Sequence, residues 1–231
     1  MKAWLISDTH GRHSQLTVPK DTDLVIHAGD FTNSPNTTQN YMEFRFFLDW
    51  WTHLPINHKI IIPGNHDVSM ERLDYARQEL GDCSNLLIHD TVEIEGLNFF
   101  GSPYTPKFGS VWSYNISRRK IGRKWDQIPE DTNVLITHGM PYGIMDLAVD
   151  HEDKSRIIPV GDKSLLKKIK KLPDLRLYVG GHIHSNVVDN AGMRRLPNYK
   201  TQFVNASVVR DGDMEIYHNG FTFNLGENNN A

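Results

Sequence analysis

The chain has 231 residues, a hydrophobic content of 39%, a charged content of 23% and a formal net charge of −3. These values are typical of one soluble globular domain, and the charge gives no general attraction to nucleic acid or an anionic membrane. The single cysteine, Cys83, excludes an internal disulfide, and no apolar run is long enough to span a bilayer. We therefore expect a cytoplasmic protein without a signal peptide or membrane contact, with one domain over 1–225 and a disordered tail over 226–231.

The first third of the chain alternates strand-like and helix-like segments. Phe44, Phe47, Leu48 and Trp51 recur at helical spacing, which predicts an amphipathic helix. Short apolar runs before and after it are typical of buried strands. In chain order the predictions are strands over 3–7 and 23–27, a helix over 39–54, a strand over 59–62 and a helix from about Met70.

Short strands dominate the next part of the chain. Three apolar segments separated by turn residues predict a meander, and an aromatic loop follows it over 103–117. Basic segments with inward apolar residues predict two helices with solvated outer faces. The predictions are strands over 86–88, 92–94, 97–100, 134–137, 176–179, 202–205, 214–217 and 221–224, and helices over 118–125 and 163–172.

Five of the predicted apolar strands are each followed, at the carboxyl end, by a polar cluster. In α/β sheets, the crevice beyond these ends is where binding sites form, and a neighbouring glycine allows the tight turn that reaches it. The clusters are Asp8-Thr9-His10, Gly29-Asp30, Gly64-Asn65-His66-Asp67, Thr137-His138-Gly139 and Gly181-His182-Ile183-His184.

Each cluster taken singly has an ordinary structural interpretation. Gly-Asp is a common turn, Asp-x-His is frequent, and an exposed loop can carry Gly-His-x-His. Turn chemistry does not explain why all five clusters follow strands. The combination predicts a shared metal site.

The five clusters, in this order, resemble the signature of calcineurin-like metallophosphoesterases. The segments LVIHAGDF, VEIEGLNFFGSPY, VLITHGMPYGIMD, GGHIH and FVNAS are similar to those of the metallophosphoesterase-domain cyclic nucleotide phosphodiesterases. The resemblance extends from Ala3 to about Leu225. It implies an α/β fold, a four-layer αββα sandwich of two mixed β-sheets flanked by helices, with metals at the sheet edge.

The resemblance also implies a role for each residue of the clusters. Asp30 would bridge two metals, His66 would stand beside the leaving group, and Asp67 would orient His66 from behind. The implied metal ligands are Asp8, His10 and His184 for one ion, and Asn65, His138 and His182 for the other.

The chemistry of these side chains suits two divalent ions. Carboxylate, imidazole and amide ligands bind manganese, which we favour, and also iron or zinc; no thiolate imposes zinc. Two such ions ~3.5–4 Å apart can activate a bridging hydroxide and clamp the phosphoryl oxygens, so no side-chain nucleophile is needed. A proton for the leaving oxygen is still required, which suits His66 as a general acid.

The leading functional hypothesis is a phosphodiesterase for small phosphodiesters, among them cyclic nucleotides as the resemblance suggests, with a nucleotide or an RNA end as a possible partner. Asn33, in the loop after Asp30, is a candidate substrate contact by its position alone. One alternative is a phosphomonoesterase acting on small molecules or proteins, although the Asp-Arg-Gly of protein phosphatases is missing after Gly29-Asp30. A nuclease would need extra capping domains, and a non-catalytic scaffold would be expected to lose ligands.

Overall fold

The computed structural model describes residues 1–150, 152–186, 188–212 and 214–226. The predicted tail over 226–231 lies outside these residues except for Gly226. In chain order the elements are β1 (Lys2–Ile6), β2 (Leu24–His27), α1 (Thr37–His53), β3 (His58–Ile61), α2 (Val68–Arg72), α3 (Asp74–Gly81), β4 (Asn85–Leu86), β5 (Asp90–Ile94), β6 (Leu97–Ser102), β7 (Thr105–Pro106), β8 (Asn115–Ile116), α4 (Arg118–Trp125), β9 (Val134–Thr137), β10 (Leu147–Val149), β11 (Ile157–Pro159), α5 (Lys163–Ile169), β12 (Leu177–Gly180), β13 (Gly192–Arg195), β14 (Gln202–Asn205) and β15 (Phe221–Asn224).

Two mixed sheets form the centre of the molecule. The first has the strand order β15-β1-β2-β3-β4, and the second has the order β13-β14-β12-β9-β6-β5. β1 to β4 run parallel to one another, as do β14, β12, β9 and β6, whereas β15, β13 and β5 are antiparallel edge strands. The carboxyl ends of the parallel strands therefore gather along one edge of each sheet.

Alternation along each strand produces the layers. Ala3 and Leu5 of β1 belong to the core between the two sheets, whereas Trp4 and Ile6 pack among the residues of α1 to α3. On the second sheet, the outward residues pack against α4 and α5 through Ile121, Trp125, Leu165 and Ile169. The predicted four-layer α/β sandwich is thus confirmed, and parallel strands buried on both faces explain why their sequences are continuously apolar.

Several local predictions differ from the structure. The first strand of the predicted meander is β4, which pairs with β3 in the first sheet, so that only β5 and β6 form a hairpin. The helix expected from Met70 is two helices, because Leu73 adopts an extended conformation between them. The region 214–217 forms only an isolated bridge, and β7, β8, β10, β11 and β13 are strands that we did not predict. Among the described residues, no helix is long and apolar enough to cross a membrane.

Candidate metal centre

The five polar clusters come together at the edge where the two sheets meet. Val208, after β14 of the second sheet, donates a backbone hydrogen bond to the carbonyl of Ser7, after β1 of the first sheet, and Gly181 donates to that of His138 within the second sheet. Asp8 of the first sheet also accepts hydrogen bonds from the backbone N–H of His182 in the second sheet, at 3.0 and 3.1 Å. The proposed ligands therefore form one site, although they are as much as 176 residues apart in the sequence.

Asp8, His10 and His184 form the first group of donors. The Nε2 atom of His184 lies 3.2 Å from the Oδ1 atom of Asp8 and 3.3 Å from the Nε2 atom of His10. One donor atom from each of the three residues fits within a 4.8 Å cluster, as required for binding one cation. This is the set implied for one metal by the sequence resemblance.

Asp30, His138 and His182 form a second group of the same size. The Nε2 atom of His138 lies 3.1 Å from the Oδ2 atom of Asp30 and 3.0 Å from the amide oxygen of Asn65. The same Oδ2 atom is 4.0 Å from the Nε2 atom of His10 in the first group. Asp30 therefore stands between the two groups, the position expected of a bridging carboxylate.

The hydrogen bonds of two histidines test whether this site fits cations. The Nδ1 atom of His138 lies 2.8 Å from the carbonyl of Ala28, which can only accept, so this nitrogen carries a proton. In the neutral ring, Nε2 then points a lone pair at the oxygens of Asp30 and Asn65. Opposed lone pairs are stable only if a proton or a metal ion lies among them, so these residues fit a divalent cation.

His184 repeats this arrangement in the first group. Its Nδ1 atom donates to the Oδ1 atom of Asp211 at 2.9 Å, which leaves Nε2 facing Asp8 and His10. A carboxylate behind a ligating histidine fixes the tautomer and the orientation of the ring. Asp211 was not among the predicted site residues, because nothing in its local sequence indicates that it lies behind His184.

In the chain without metal, protons compensate the buried carboxylates. Burial lowers the pKa of an imidazole, but the charge and hydrogen bond of Asp30 outweigh it and raise the pKa of His138 to about 9. For His184, the hydrogen bonds to Asp211 and Asp8 likewise outweigh burial and raise the pKa to about 10. His10 and His182 lack such close partners, and burial lowers their pKa values to about 4 and about 3. Metal binding at this site must therefore release protons.

The backbone at the site is strained in the same turns that carry the donors. Asp8, His10, Asp30 and His182 all have positive φ values, between 42° and 67°, which side chains other than glycine adopt infrequently. Such conformations cluster at functional sites, where the surrounding fold holds them. Gly29, at φ 99°, is needed for a further reason: a Cβ atom there would lie 2.7 Å from the Nδ1 atom of His138.

His66 lies beside both groups and is half-buried, as are His182 and His184, whereas the other five proposed ligands are buried. Its Nδ1 atom donates to the backbone carbonyl of Asn33 at 2.9 Å, and its ring makes an edge contact with His10 and a tilted contact with Trp112, with centroids 4.7 and 4.0 Å apart. A ring nitrogen of His66 also falls within 4.8 Å of donor atoms of His10 and Asp30. In this position, the imidazole of His66 can contact a substrate bound at the two donor groups.

Asp67 has a different place from the one expected. Its carboxylate accepts hydrogen bonds from the backbone N–H groups of Asp30, Thr32 and Gly64, at 2.7 to 2.9 Å, and among the described residues none from the imidazole of His66. The contact that orients His66 comes from the carbonyl of Asn33. Asp67 instead ties the turn that carries Asp30 to the turn that carries Asn65. Burial and the charge of Asp30 raise the pKa of Asp67 to about 7.

Two further polar residues support the site without having been predicted. Asn40 of α1 is fully buried and donates to the carbonyl of His66 at 2.7 Å and to the hydroxyl of Thr32 at 2.9 Å. His27 accepts a hydrogen bond from the N–H of Gly29 and therefore donates through Nε2 to the hydroxyl of Thr9, at 3.1 Å. Each joins two ligand-bearing turns.

Comparisons with known proteins agree with this geometry. Residues 1–186 match the family model for calcineurin-like phosphoesterases. A UPF0046 protein of Caenorhabditis elegans is 34% identical over 228 residues, which cover 92% of this chain and 71% of that protein. Human metallophosphoesterase domain-containing protein 1 is 31% identical over 229 residues, which cover 88% of this chain and 64% of the human protein, so the chain spans less than two thirds of that relative.

Among solved structures, an archaeal phosphodiesterase matches 90% of this chain and 84% of its own, with 16% sequence identity and a TM-score of 0.47. The family match covers the strand ends that carry all seven proposed ligands. On the strength of that match and of the 34% identical relative, the chain belongs to the calcineurin-like phosphoesterase family of metal-dependent phosphoester hydrolases.

Proposed function

We propose that this protein is a di-metal phosphodiesterase that hydrolyses small phosphodiesters, cyclic nucleotides among them. The observation that carries the proposal is the pair of donor groups that share Asp30. Asp8, His10 and His184 would hold one ion, Asn65, His138 and His182 the other, and manganese is the ion we favour. When bound, two such ions supply Lewis-acid stabilisation of phosphoryl oxygens and lower the pKa of water toward neutrality.

The residues around the donors support a diester over a monoester. A monoester dianion is usually bound by a guanidinium or an ammonium group besides the metals. The hydrogen bonds and ion pairs of the seven donors involve histidine, carboxylate, amide and backbone groups, with no lysine or arginine among the described residues. A diester carries a single negative charge, which such a site can accommodate without them.

His66 would then act as the general acid. The Asn33 carbonyl engages Nδ1, so Nε2 is the nitrogen that can give a proton to the leaving oxygen. The Oδ1 atom of Asp30 accepts the backbone N–H of His66 at 2.7 Å, which ties the position of this residue to the bridging carboxylate. Through hydrogen bonds with backbone N–H groups, Asp67 holds the turns that carry Asp30 and Asn65.

A hydrolysis screen tests the proposal. Metal-stripped protein would be reloaded with Mn²⁺ and assayed on bis-p-nitrophenyl phosphate, p-nitrophenyl phosphate, and 2′,3′- and 3′,5′-cyclic nucleotides. We expect metal-dependent turnover of the diesters well above that of the monoester. An Asp30→Ala variant purified in parallel controls for contaminating phosphatases.

The other outcomes point to the alternatives. Faster turnover of the monoester would identify a phosphomonoesterase, and no turnover with Mn²⁺, Fe²⁺ or Zn²⁺ would support a non-catalytic metal-binding protein. The cyclic substrates, compared with each other, would determine which phosphodiester geometry the site accepts.

A further inference from the structure

A cavity of about 190 Å³ lies beside the donors of the second sheet. His182 and His184 form one wall of it, and the hairpin of β10 and β11 forms another. The described lining residues that bear on its chemistry are Leu147, Ile157, His182, His184, Asn186 and Asp211. His66 is not among the described lining residues, so the cavity and the proposed general acid adjoin the metal centre at different residues.

The hairpin is fixed to the ligand-bearing loop. The side chain of Asn190 accepts a hydrogen bond from the N–H of Leu147 at 3.0 Å and donates to the carbonyls of Leu147 and His184 at 2.8 and 3.0 Å. Asn190 is only 2% exposed, so water competes little for these hydrogen bonds. The cavity wall therefore keeps its distance from His184.

Apolar side chains remain exposed around this cavity. Leu147 and Ile157 are 37% and 43% exposed, although they belong to the paired hairpin of β10 and β11, which Asn190 fixes to the ligand-bearing loop. Phe108, from the loop between β7 and β8, is 40% exposed; it lies outside the described lining, but its ring contacts that of His182, which is a lining residue, at a tilt of 47° with the centroids 4.9 Å apart. Exposed apolar groups concentrated beside a polar site mark a binding surface.

The loop that carries Phe108 is anchored by contacts with two residues of the site, Asn65 and His66. Ser113 donates its N–H to the carbonyl of Asn65 at 3.1 Å, and the ring of Trp112 lies against His66. The loop thus spans from donors of the first sheet to His182 of the second. Phe108 is therefore on a loop that other residues of the site hold in place.

The charge of the cavity selects among possible occupants. Its described lining includes the carboxylate of Asp211 and the amide of Asn186, and no lysine or arginine. A second phosphate would find no cation there and would face a carboxylate. A flat, uncharged group would bury apolar surface against Phe108, Leu147 and Ile157.

We propose that this cavity is a subsite for the ester group that stays on the phosphate, and that it selects a flat, uncharged group such as an aryl ring. The inference rests on the proposed phosphodiesterase function and adds to it Phe108, Leu147 and Ile157 as specificity-determining residues. The leaving group departs beside His66, outside this cavity.

Two diesters with one leaving group test the subsite. Phenyl p-nitrophenyl phosphate and methyl p-nitrophenyl phosphate both release p-nitrophenolate and differ only in the group that remains. For the Mn²⁺-loaded protein, we expect kcat/KM to favour the phenyl ester on the order of tenfold, the factor given by burial of part of a ring. Phe108→Ala should reduce this preference by about fivefold, and Phe108→Ala/Ile157→Ser should bring it close to unity.

Phe46→Ala is the matched control. Phe46 is a phenylalanine of α1 that is 74% exposed and lines a different cavity together with Trp50 and His53, so its removal should leave the preference unchanged. Equal kcat/KM for the two esters in the wild-type protein, or a preference that survives in the double variant, would refute the subsite.

Binding measurements separate this inference from the proposed function. Calorimetric titration of the Mn²⁺-loaded protein with phenylphosphonate and methylphosphonate requires no turnover. Tighter binding of phenylphosphonate that Phe108→Ala weakens would support the subsite even if neither diester is hydrolysed. Equal affinities for phenylphosphonate and methylphosphonate, in the wild-type protein and in the variant alike, would overturn the subsite, whatever the activity.

Discussion

The imidazole of His66 has three partners: the Asn33 carbonyl at Nδ1, the ring of His10 in a T-shaped contact, and the ring of Trp112 in a tilted contact. None of these contacts uses Nε2, which is therefore available to the leaving oxygen. A general acid matters most when the leaving group is a poor one, because a good leaving group departs without a proton.

We therefore expect His66→Ala to retain both metals and to lower kcat roughly 10²–10⁴-fold for alkyl diesters, with a much smaller loss for p-nitrophenyl esters. Steady-state kinetics on both substrate types, with elemental analysis of the variant, would check this. Equal losses on the two substrate types with full metal occupancy would argue against the general-acid role.

His13 gives the fold a pH dependence that is independent of the metal ligands. It is 5% exposed, lies beneath α1 against the rings of Phe47 and Trp50, and its Nδ1 atom has no hydrogen-bond partner among the described residues. Burial lowers its pKa to about 4 from 6.5. The unfolded chain therefore binds this proton more readily than the folded one, and stability falls as the pH decreases from about 6.5 to 4.

At about 1.4 kcal/mol per pKa unit, protonation of His13 costs up to about 3 kcal/mol of unfolding free energy at pH 4. His13→Gln should weaken the decrease in stability between pH 6.5 and 4, measured by urea unfolding relative to the wild-type protein. The exposed His53→Gln is the control for loss of a surface imidazole. Parallel pH profiles for wild-type protein and His13→Gln would contradict the prediction.

At the scale of the elements, one carboxylate joins two helices of the outer layer. Asp162 precedes α5, accepts the backbone N–H of Leu165 at 2.7 Å as its N-cap, and accepts the indole N–H of Trp125 of α4 at 3.1 Å. It is 3% exposed, and Trp125 is 1% exposed. Loss of this carboxylate would leave the indole N–H of Trp125 buried without a partner.

We expect Asp162→Ala to destabilise the fold by about 2–3 kcal/mol, from a lost cap of about 1 kcal/mol and an unsatisfied buried donor. Asn36→Ala, which removes the more exposed N-cap of α1, should cost about 1 kcal/mol or less. Urea unfolding of the two variants would measure the difference. Equal destabilisation by both would mean that the indole contact adds nothing.

At the scale of the whole molecule, the metal centre joins the two sheets. Asp8, His10, Asp30 and Asn65 follow strands of the first sheet, whereas His138, His182 and His184 follow strands of the second. A ligand that binds only the folded arrangement stabilises it by mass action, about 2.7 kcal/mol at a hundredfold excess over Kd.

Chelation should therefore lower the Tm by roughly 5–10 °C, given the usual 2–4 °C per kcal/mol for a chain of this size. Asp30→Ala should lose metal at both positions and show little further change on chelation, whereas Asp49→Asn at an exposed position should respond like the wild-type protein. Differential scanning calorimetry and elemental analysis would measure both. An Asp30→Ala variant with two bound ions would overturn the bridging role.

The resemblance to calcineurin-like metallophosphoesterases implied the four layers and the seven metal ligands, whereas the sequence by itself predicted most of the strands and helices and a shared metal site at the strand ends. It could do so because buried parallel strands are continuously apolar and because donors that directly follow them share one edge of a sheet. The helix over 118–125 and the strand over 134–137 coincide with α4 and β9, since both carry strong local patterns.

Only the tertiary structure decided the contacts whose partners are far apart in the chain. Asp211 lies behind His184, the Asn33 carbonyl rather than Asp67 contacts the imidazole of His66, and Phe108 contacts the ring of His182. These contacts depend on how loops from separate strand ends pack against each other, and local periodicity carries no information about such packing. The apolar strand ends thus determine where the metal ligands meet, and the packing of the loops determines how they are oriented and which substrate groups can reach them.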